Sequence, residues 1–191
     1  MPLRSPWIVL TLLCLASLSH ADESAAPAPR VRIQTSMGSF VIQLNPSRAP
    51  LTVANFLQYV ADGHYNGTLL HRVVESFIIQ GGGYNAKYEE KPVHASVANE
   101  SGNGLSNQRA TVGLARVDDP HSGAAQFYIN LGDNAVLDPR ANRWGYAVFG
   151  VVTEGMDTLE RISHVETGSA GPFPAEAPLK PILIETAEVL H

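Results

Sequence analysis

Arg72, Phe77 and Gln80 stand at spacings of five and three in the run Leu70-His71-Arg72-Val73-Val74-Glu75-Ser76-Phe77-Ile78-Ile79-Gln80. These residue types suit a site that holds a peptide group beside an apolar ring. On a strand, alternate side chains share a face. Phe77 and Ile79 are therefore expected on one face, and Ile78 and Gln80 on the other. A turn at Glu75 and Ser76 would fold the run back and set Arg72 alongside Gln80. A permanently charged guanidinium and a neutral amide would then border an apolar surface.

Other chemistries find little support. Outside the first 21 residues the histidines are His64, His71, His94, His121, His164 and His191. None forms a His-x-x-x-His pair or a Cys/His cluster, so no metal is expected and they read as ordinary surface or core residues. Gly81-Gly82-Gly83 lacks the Gly-Lys-Ser/Thr ending of a phosphate-binding loop and reads as glycines at a strand end. No Gly-x-Ser-x-Gly occurs, so a serine hydrolase is not supported. Asn66-Gly67-Thr68 and Asn99-Glu100-Ser101 are glycosylation sequons that matter only in a eukaryotic host. No cofactor is implied.

The elements that must position these residues begin after a leader. Arg4, the uncharged apolar stretch Trp7 to Leu18 and the small residues of Ser19-His20-Ala21 have the form of a secretory signal peptide over residues 1–21. The apolar stretch is shorter than the roughly 20 residues of a spanning helix. Cys14 is the single cysteine. Cleavage after Ala21 would leave a protein with no thiol, which suits an oxidising compartment. The remaining 170 of 191 residues make one domain with a proper core. Without Arg4, 12 basic residues face 18 acidic ones, a net charge of about −6. That balance points away from nucleic acid and from anionic membranes as partners. Residues 22–30 read as a disordered lead-in, and residues 31–191 as the domain.

Val31, Ile33 and Thr35, then Phe40, Ile42 and Leu44, alternate with polar residues around Ser36-Met37-Gly38-Ser39, the pattern of a half-buried β-hairpin. Pro50 opens a helical segment that runs to Ala61 and stops near Gly63. Short apolar runs follow at Leu69–Val74, Ile78–Gln80, Thr111–Arg116, Gln126–Leu131 and Ala147–Val152. Met156 to Val165 reads as a second helix and Ile182–Val189 as a last strand, expected to pair with the first. Many short strands and two helices predict a mainly β barrel or sandwich. The stretch from Tyr84 to Gly104 carries no clear element, and long loops of that kind are often functional.

The run from Leu70 to Gly83 resembles the signature of the cyclophilins, the peptidyl-prolyl cis-trans isomerases. The resemblance continues through Gly113-Leu114-Ala115-Arg116, Ala125-Gln126-Phe127-Tyr128-Ile129-Asn130, Leu137-Asp138 and Gly145-Tyr146-Ala147-Val148-Phe149-Gly150, in the family's order. From about Val31 to Leu190 the chain is similar to the bacterial periplasmic members. The resemblance implies a closed eight-stranded antiparallel β-barrel capped by two α-helices. It also implies isomerase activity on X–Pro bonds, with Arg72, Phe77 and Gln80 catalytic. Ile78, Leu114, Tyr128 and Leu137 would join Phe77 around the proline ring, with Gln126 as a second groove amide and Tyr146 in the wall. Ala115 and Arg116 would pair with substrate through their backbone groups.

Three positions depart from the family pattern. Tyr146 stands where many members have histidine, and Arg116 where asparagine is common. Val136 stands where the eukaryotic type has a tryptophan that contributes to cyclosporin binding. The partners implied are proline-containing segments of unfolded or folding secreted proteins, met in the periplasm by a monomer free of the membrane once the leader is removed. The rival reading is a barrel that holds proline peptides without catalysis, as a chaperone or scaffold. Retention of Arg72 beside Phe77 and Gln80 favours the enzyme.

Overall fold

The computed structural model describes residues 28–190. The expected leader and residues 22–27 of the lead-in lie outside the described residues. The strands are β1 (Arg30–Thr35), β2 (Gly38–Leu44), β3 (Thr68–Leu69), β4 (Arg72–Val74), β5 (Ile78–Gly81), β6 (Thr111–Leu114), β7 (Phe127–Asn130), β8 (Val148–Glu154), β9 (Thr167–Ala170), β10 (Phe173–Pro178) and β11 (Leu183–Leu190). The helices are α1 (Pro50–Ala61) and α2 (Met156–Ser163), and a 3-10 turn spans Ala135–Leu137. β1 is already paired at Arg30, with Gln43 on one side and Leu190 on the other. Among the described residues no helix is long and apolar enough to cross a membrane.

The main sheet has the order β3-β11-β1-β2-β8-β6-β7-β5-β4, antiparallel throughout. The last strand does pair with the first: β11 runs beside β1 from Arg30↔Leu190 to Thr35↔Ile184. A mainly β fold with two helices is thus observed, but the closed eight-stranded ladder implied by the resemblance needs correction. The sheet is a curled half-barrel of nine segments, with β3 and β4 at its two edges. Those edges are consecutive in the chain. Leu70 and His71 divide the single strand expected over Leu69–Val74, because both leave the ladder and bury their side chains. Leu70 donates its N–H to the Ile182 carbonyl at 2.9 Å. Outside the ladder, Gly82 N–H bonds Leu69 O and Leu69 N–H bonds Tyr84 O, at 3.2 and 2.8 Å, which brings the end of β5 to β3.

The curl encloses Val31, Ile33, Phe40, Ile42, Val73, Ile79, Val112, Phe127, Ile129 and Phe149, into which α1 presses Phe56 and Tyr59 and α2 presses Leu159 and Ile162. Helix α1 opens on Pro50 but has no capping side chain of its own at Ala49. Glu100, from the long loop, supplies the missing acceptors. Its carboxylate takes the Leu51 and Thr52 N–H groups at 3.1 and 2.8 Å and the Thr52 hydroxyl at 2.7 Å. A negative charge at a helix N-terminus also complements the helix dipole. The Tyr84–Gly104 loop is therefore tied down, although it carries only isolated bridges.

A second, two-stranded sheet of β9 and β10 was not expected from the sequence. Its residues, Thr167-Gly168-Ser169-Ala170 and Phe173-Pro174-Ala175-Glu176-Ala177-Pro178, carry little of the alternation that marks a buried strand. It packs against β4, beside Arg72.

Candidate active site

Strands β4 and β5 are joined by a tight turn in which Phe77 N–H bonds the Val74 carbonyl at 3.0 Å. Ser76, third in that turn, takes the left-handed backbone at φ 59° that a type II turn places there. The resulting register pairs Arg72 with Gln80, Val73 with Ile79 and Val74 with Ile78. Arg72 thus stands alongside Gln80 as the spacing predicts. Ile78 and Gln80 also share a face, opposite Ile79. Phe77 itself precedes β5, so the expectation that it lies on the strand is corrected: it is a half-buried turn residue.

The register continues across the sheet. Gln80 pairs with Tyr128, and Tyr128 with Gly113. Arg72, Gln80 and Tyr128 therefore form a row on the face turned away from the core, two strand spacings or about 10 Å from end to end. Gln126, two residues before Tyr128, accepts a bond from Gln80 Nε2 on Oε1 at 2.9 Å. Gln80 keeps a second N–H, and Gln126 its whole NH₂ group, for a ligand. No Cβ fits at Gly113 because the Tyr128 ring lies against it, nor at Gly83 because Gln126 does.

The walls are held by a network of buried amides. Tyr128 O–H donates to Asn107 Oδ1 at 2.6 Å, and Asn130 Nδ2 donates to the same oxygen at 3.2 Å. Asn134 Nδ2 bonds Asn130 Oδ1 at 2.7 Å and the Phe77 carbonyl at 2.8 Å. Asn134 thereby fixes the 3-10 turn that ends in Leu137 next to Phe77. Leu137 O in turn accepts the Tyr146 N–H at 2.9 Å, and the Tyr146 and Tyr128 rings meet edge to face at 5.9 Å. Asp138 anchors the same network by accepting from Ser106 Oγ and from the backbone and side-chain N–H groups of Asn107. Burial alone would raise the Asp138 carboxyl, but those bonds outweigh it and hold the group below its usual value. Burial pushes the Tyr128 phenol well above the ordinary range.

Arg116 uses its side chain on its own protein. Nε and Nη2 donate to the Gly145 and Trp144 carbonyls at 3.1 and 2.9 Å, and Cζ stands 4.5 Å from the Tyr146 ring centroid. Ala115 N–H is committed to Gln126 O at 2.9 Å. Among the described residues, no hydrogen bond engages Arg116 N–H or Ala115 O. A cavity of about 200 Å³ opens here, lined by Gln80, Val93, Ala115, Arg116, Ser122 and Gln126. A larger cleft of about 720 Å³, bordered by Gln43, Ser47, Leu105 and Val151, contains none of the expected site residues.

Leu114 alternates with Gly113 and so takes the opposite side of β6. Alternation puts it on the same side as Val112, paired with Phe127, and it packs in the core at 5% exposure. Its neighbour Gly113 lies against the Tyr128 ring.

Arg72 donates Nε–H to Glu176 Oε2 at 2.7 Å. Beside it, His71 is buried between aromatic rings, stacked on Phe173 at 5.1 Å and 17°, and edge-on to Tyr84 at 4.9 Å. Burial lowers the His71 imidazole to about 4, the Leu69 backbone opposing and the Arg72 charge adding. Glu176, Phe173, Asn107 and Asn134 were not found from the sequence. Nothing in their spacing marks them, since they reach the site only through register and loop packing.

Comparison with known proteins places the chain in a family. Residues 30–189 match the family described as "Cyclophilin type peptidyl-prolyl cis-trans isomerase/CLD". The chain is 41% identical over 182 residues to peptidyl-prolyl cis-trans isomerase A of Dickeya dadantii, covering 95% of each chain. It is 48% identical over 163 residues to a peptidyl-prolyl cis-trans isomerase of Streptomyces antibioticus, covering 84% of this chain and 98% of that one. In fold it is similar to a cyclophilin type isomerase of Cryptosporidium parvum solved in the presence of the dipeptide Ala-Pro. There the TM-score is 0.68 at 24% identity, covering 85% of this chain and 99% of that one.

Proposed function

The chain belongs to the cyclophilin-type peptidyl-prolyl cis-trans isomerases, and from that membership we propose that Arg72 carries the isomerisation of X–Pro bonds in exported proteins. The barrier to rotation is amide resonance, worth about 18–20 kcal/mol. Twisting the bond returns the lone pair to the proline nitrogen. A donor aimed at that lone pair binds the twisted state better than either planar isomer, which is differential transition-state stabilisation. The chemistry needs no nucleophile, metal or proton transfer.

The observation that carries the assignment is the Arg72–Gln80–Tyr128 row on the face away from the core. With Nε on Glu176, the terminal N–H groups of Arg72 make no bond to any described residue. Phe77, Ile78, Leu137, Tyr128 and Tyr146 would enclose the proline ring. Gln80 would hold the carbonyl before the proline with its second N–H. The unengaged Arg116 N–H and Ala115 carbonyl would pair with the peptide backbone, which lets Arg116 replace asparagine without loss. The Ala-Pro dipeptide of the Cryptosporidium experiment fits a ligand of this class.

Export rests on the charge, apolar stretch and small residues of the first 21 positions. Periplasmic folding clients with slow prolyl steps follow from it. Expression in a bacterium, fractionation and intact mass tests this part: a periplasmic protein starting at Asp22 is expected, and an uncleaved cytoplasmic one contradicts it. Activity is tested by NMR exchange between the isomers of an X–Pro peptide at catalytic protein concentration. Faster exchange is expected. Line broadening by binding with no faster exchange would favour the non-catalytic peptide binder.

A further inference from the structure

We propose that Glu176 is a positioning residue for Arg72, and that the β9–β10 hairpin is the element that delivers it. This inference rests on Arg72 being the catalytic donor.

The geometry of the hairpin is unusual at one place. Phe173 pairs with Ala170, but the next pair is Ala177 with Gly168. Three residues of β10, Pro174 to Glu176, therefore stand opposite one of β9, Ser169, and the extra length is a bulge. Bulges re-aim side chains and recur beside active sites. Glu176 lies within it at φ 62°, a left-handed backbone that a non-glycine residue adopts at a cost of about 1–2 kcal/mol. Such strain persists where surrounding contacts over-determine it. Here the hairpin is clamped on both sides of Glu176. Phe173 stacks on His71, with Tyr84 edge-on to both rings at 4.9 and 5.0 Å, and Ala177 is fully buried. The clamped residue, His71, is the chain neighbour of Arg72.

The contact itself is selective. The Glu176 carboxylate takes Nε–H, the donor nearest the stem, at 2.7 Å. It leaves the four terminal N–H groups to the groove. An arginine side chain carries about 2 kcal/mol of rotamer entropy. Tethering Nε removes much of that freedom before substrate arrives, so less is lost when the terminal donors meet the twisted bond. Both side chains are partly exposed, at 37% and 45%, so the pair contributes little to stability. A tether of this kind should act on turnover rather than on folding.

The test uses the full chain with Glu176→Gly, Glu176→Gln and Arg72→Ala. Glycine accepts the left-handed backbone and removes the carboxylate, so the Glu176→Gly protein should melt no lower than the parent. Its kcat should fall five- to tenfold, with KM within twofold. The Arg72 Nε–H resonance should change its shift and lose rigidity in the same variant. Glu176→Gln keeps an acceptor of the same reach and should retain at least half of kcat. An unchanged or raised kcat in Glu176→Gly, or equal losses in the Gly and Gln variants, would overturn the proposal. If Arg72→Ala keeps full turnover, the donor assignment itself fails. If Arg72→Ala loses turnover and Glu176→Gly does not, only the positioning role fails.

Discussion

The Tyr128 ring lies directly against Gly113, its register partner, in a space that no Cβ can share. Tyr128 also pairs with Gln80, which pairs with Arg72. One missing side chain on β6 thus lets the middle of the site lie flat. Gly113→Ala should push the ring out of place. Overpacking of this sort costs about 1–3 kcal/mol, and proline-peptide affinity should fall with it. Urea unfolding and peptide titration check both. Unchanged affinity would show that Tyr128 does not line the groove.

Protonation of His71 should make folding stability fall in acid. Its folded-state value is about 4 against an ordinary 6.5, so the unfolded chain binds the proton first. The stability this neutral ring contributes, on the order of 3 kcal/mol, is complete above about pH 6.5 and is lost as pH falls towards 4. Denaturant midpoints across pH 4–8 should therefore rise with pH, and His71→Phe should flatten the rise between 4 and 6.5. Its Nδ1 has no partner among the described residues, so an apolar ring should cost little at neutral pH. An unaltered pH profile in the variant would assign the effect to another group.

Val136 is half exposed in the middle of the 3-10 turn Ala135–Leu137. It offers neither an indole donor nor the surface of the tryptophan found in the eukaryotic type. Cyclosporin should therefore inhibit weakly, and Val136→Trp should strengthen inhibition at least tenfold. A nanomolar inhibition constant for the unaltered protein would contradict this.

How much of this was readable in the sequence depended on whether the signal was local. The Arg72–Gln80 pairing followed from a local turn between two apolar runs, and the three-residue loop Glu75–Phe77 sets its register. Helix α1 showed itself through Pro50 and the apolar spacing behind it. Other features were set by distant parts of the chain. That Leu114 packs among core residues was not legible, since which face of β6 is buried depends on its neighbours β7 and β8. Phe77 left the strand for the turn because Ser76 takes the left-handed position. The one strand expected over Leu69–Val74 became two, because Leu70 turns to bond Ile182, more than 100 residues away. Glu176 was invisible for the same reason: a weakly patterned hairpin and a bulge bring it 104 residues back to Arg72.

The most direct test of Arg72 as the catalytic donor compares Arg72→Ala with the parent in two quantities on one X–Pro peptide: the isomerisation rate by exchange NMR and the affinity by titration. Removing a donor that acts in the transition state should cost about 10²–10³ in kcat/KM, with the dissociation constant changed less than threefold. Equal losses in rate and affinity, or a variant that still turns over at the parental rate, would contradict the account.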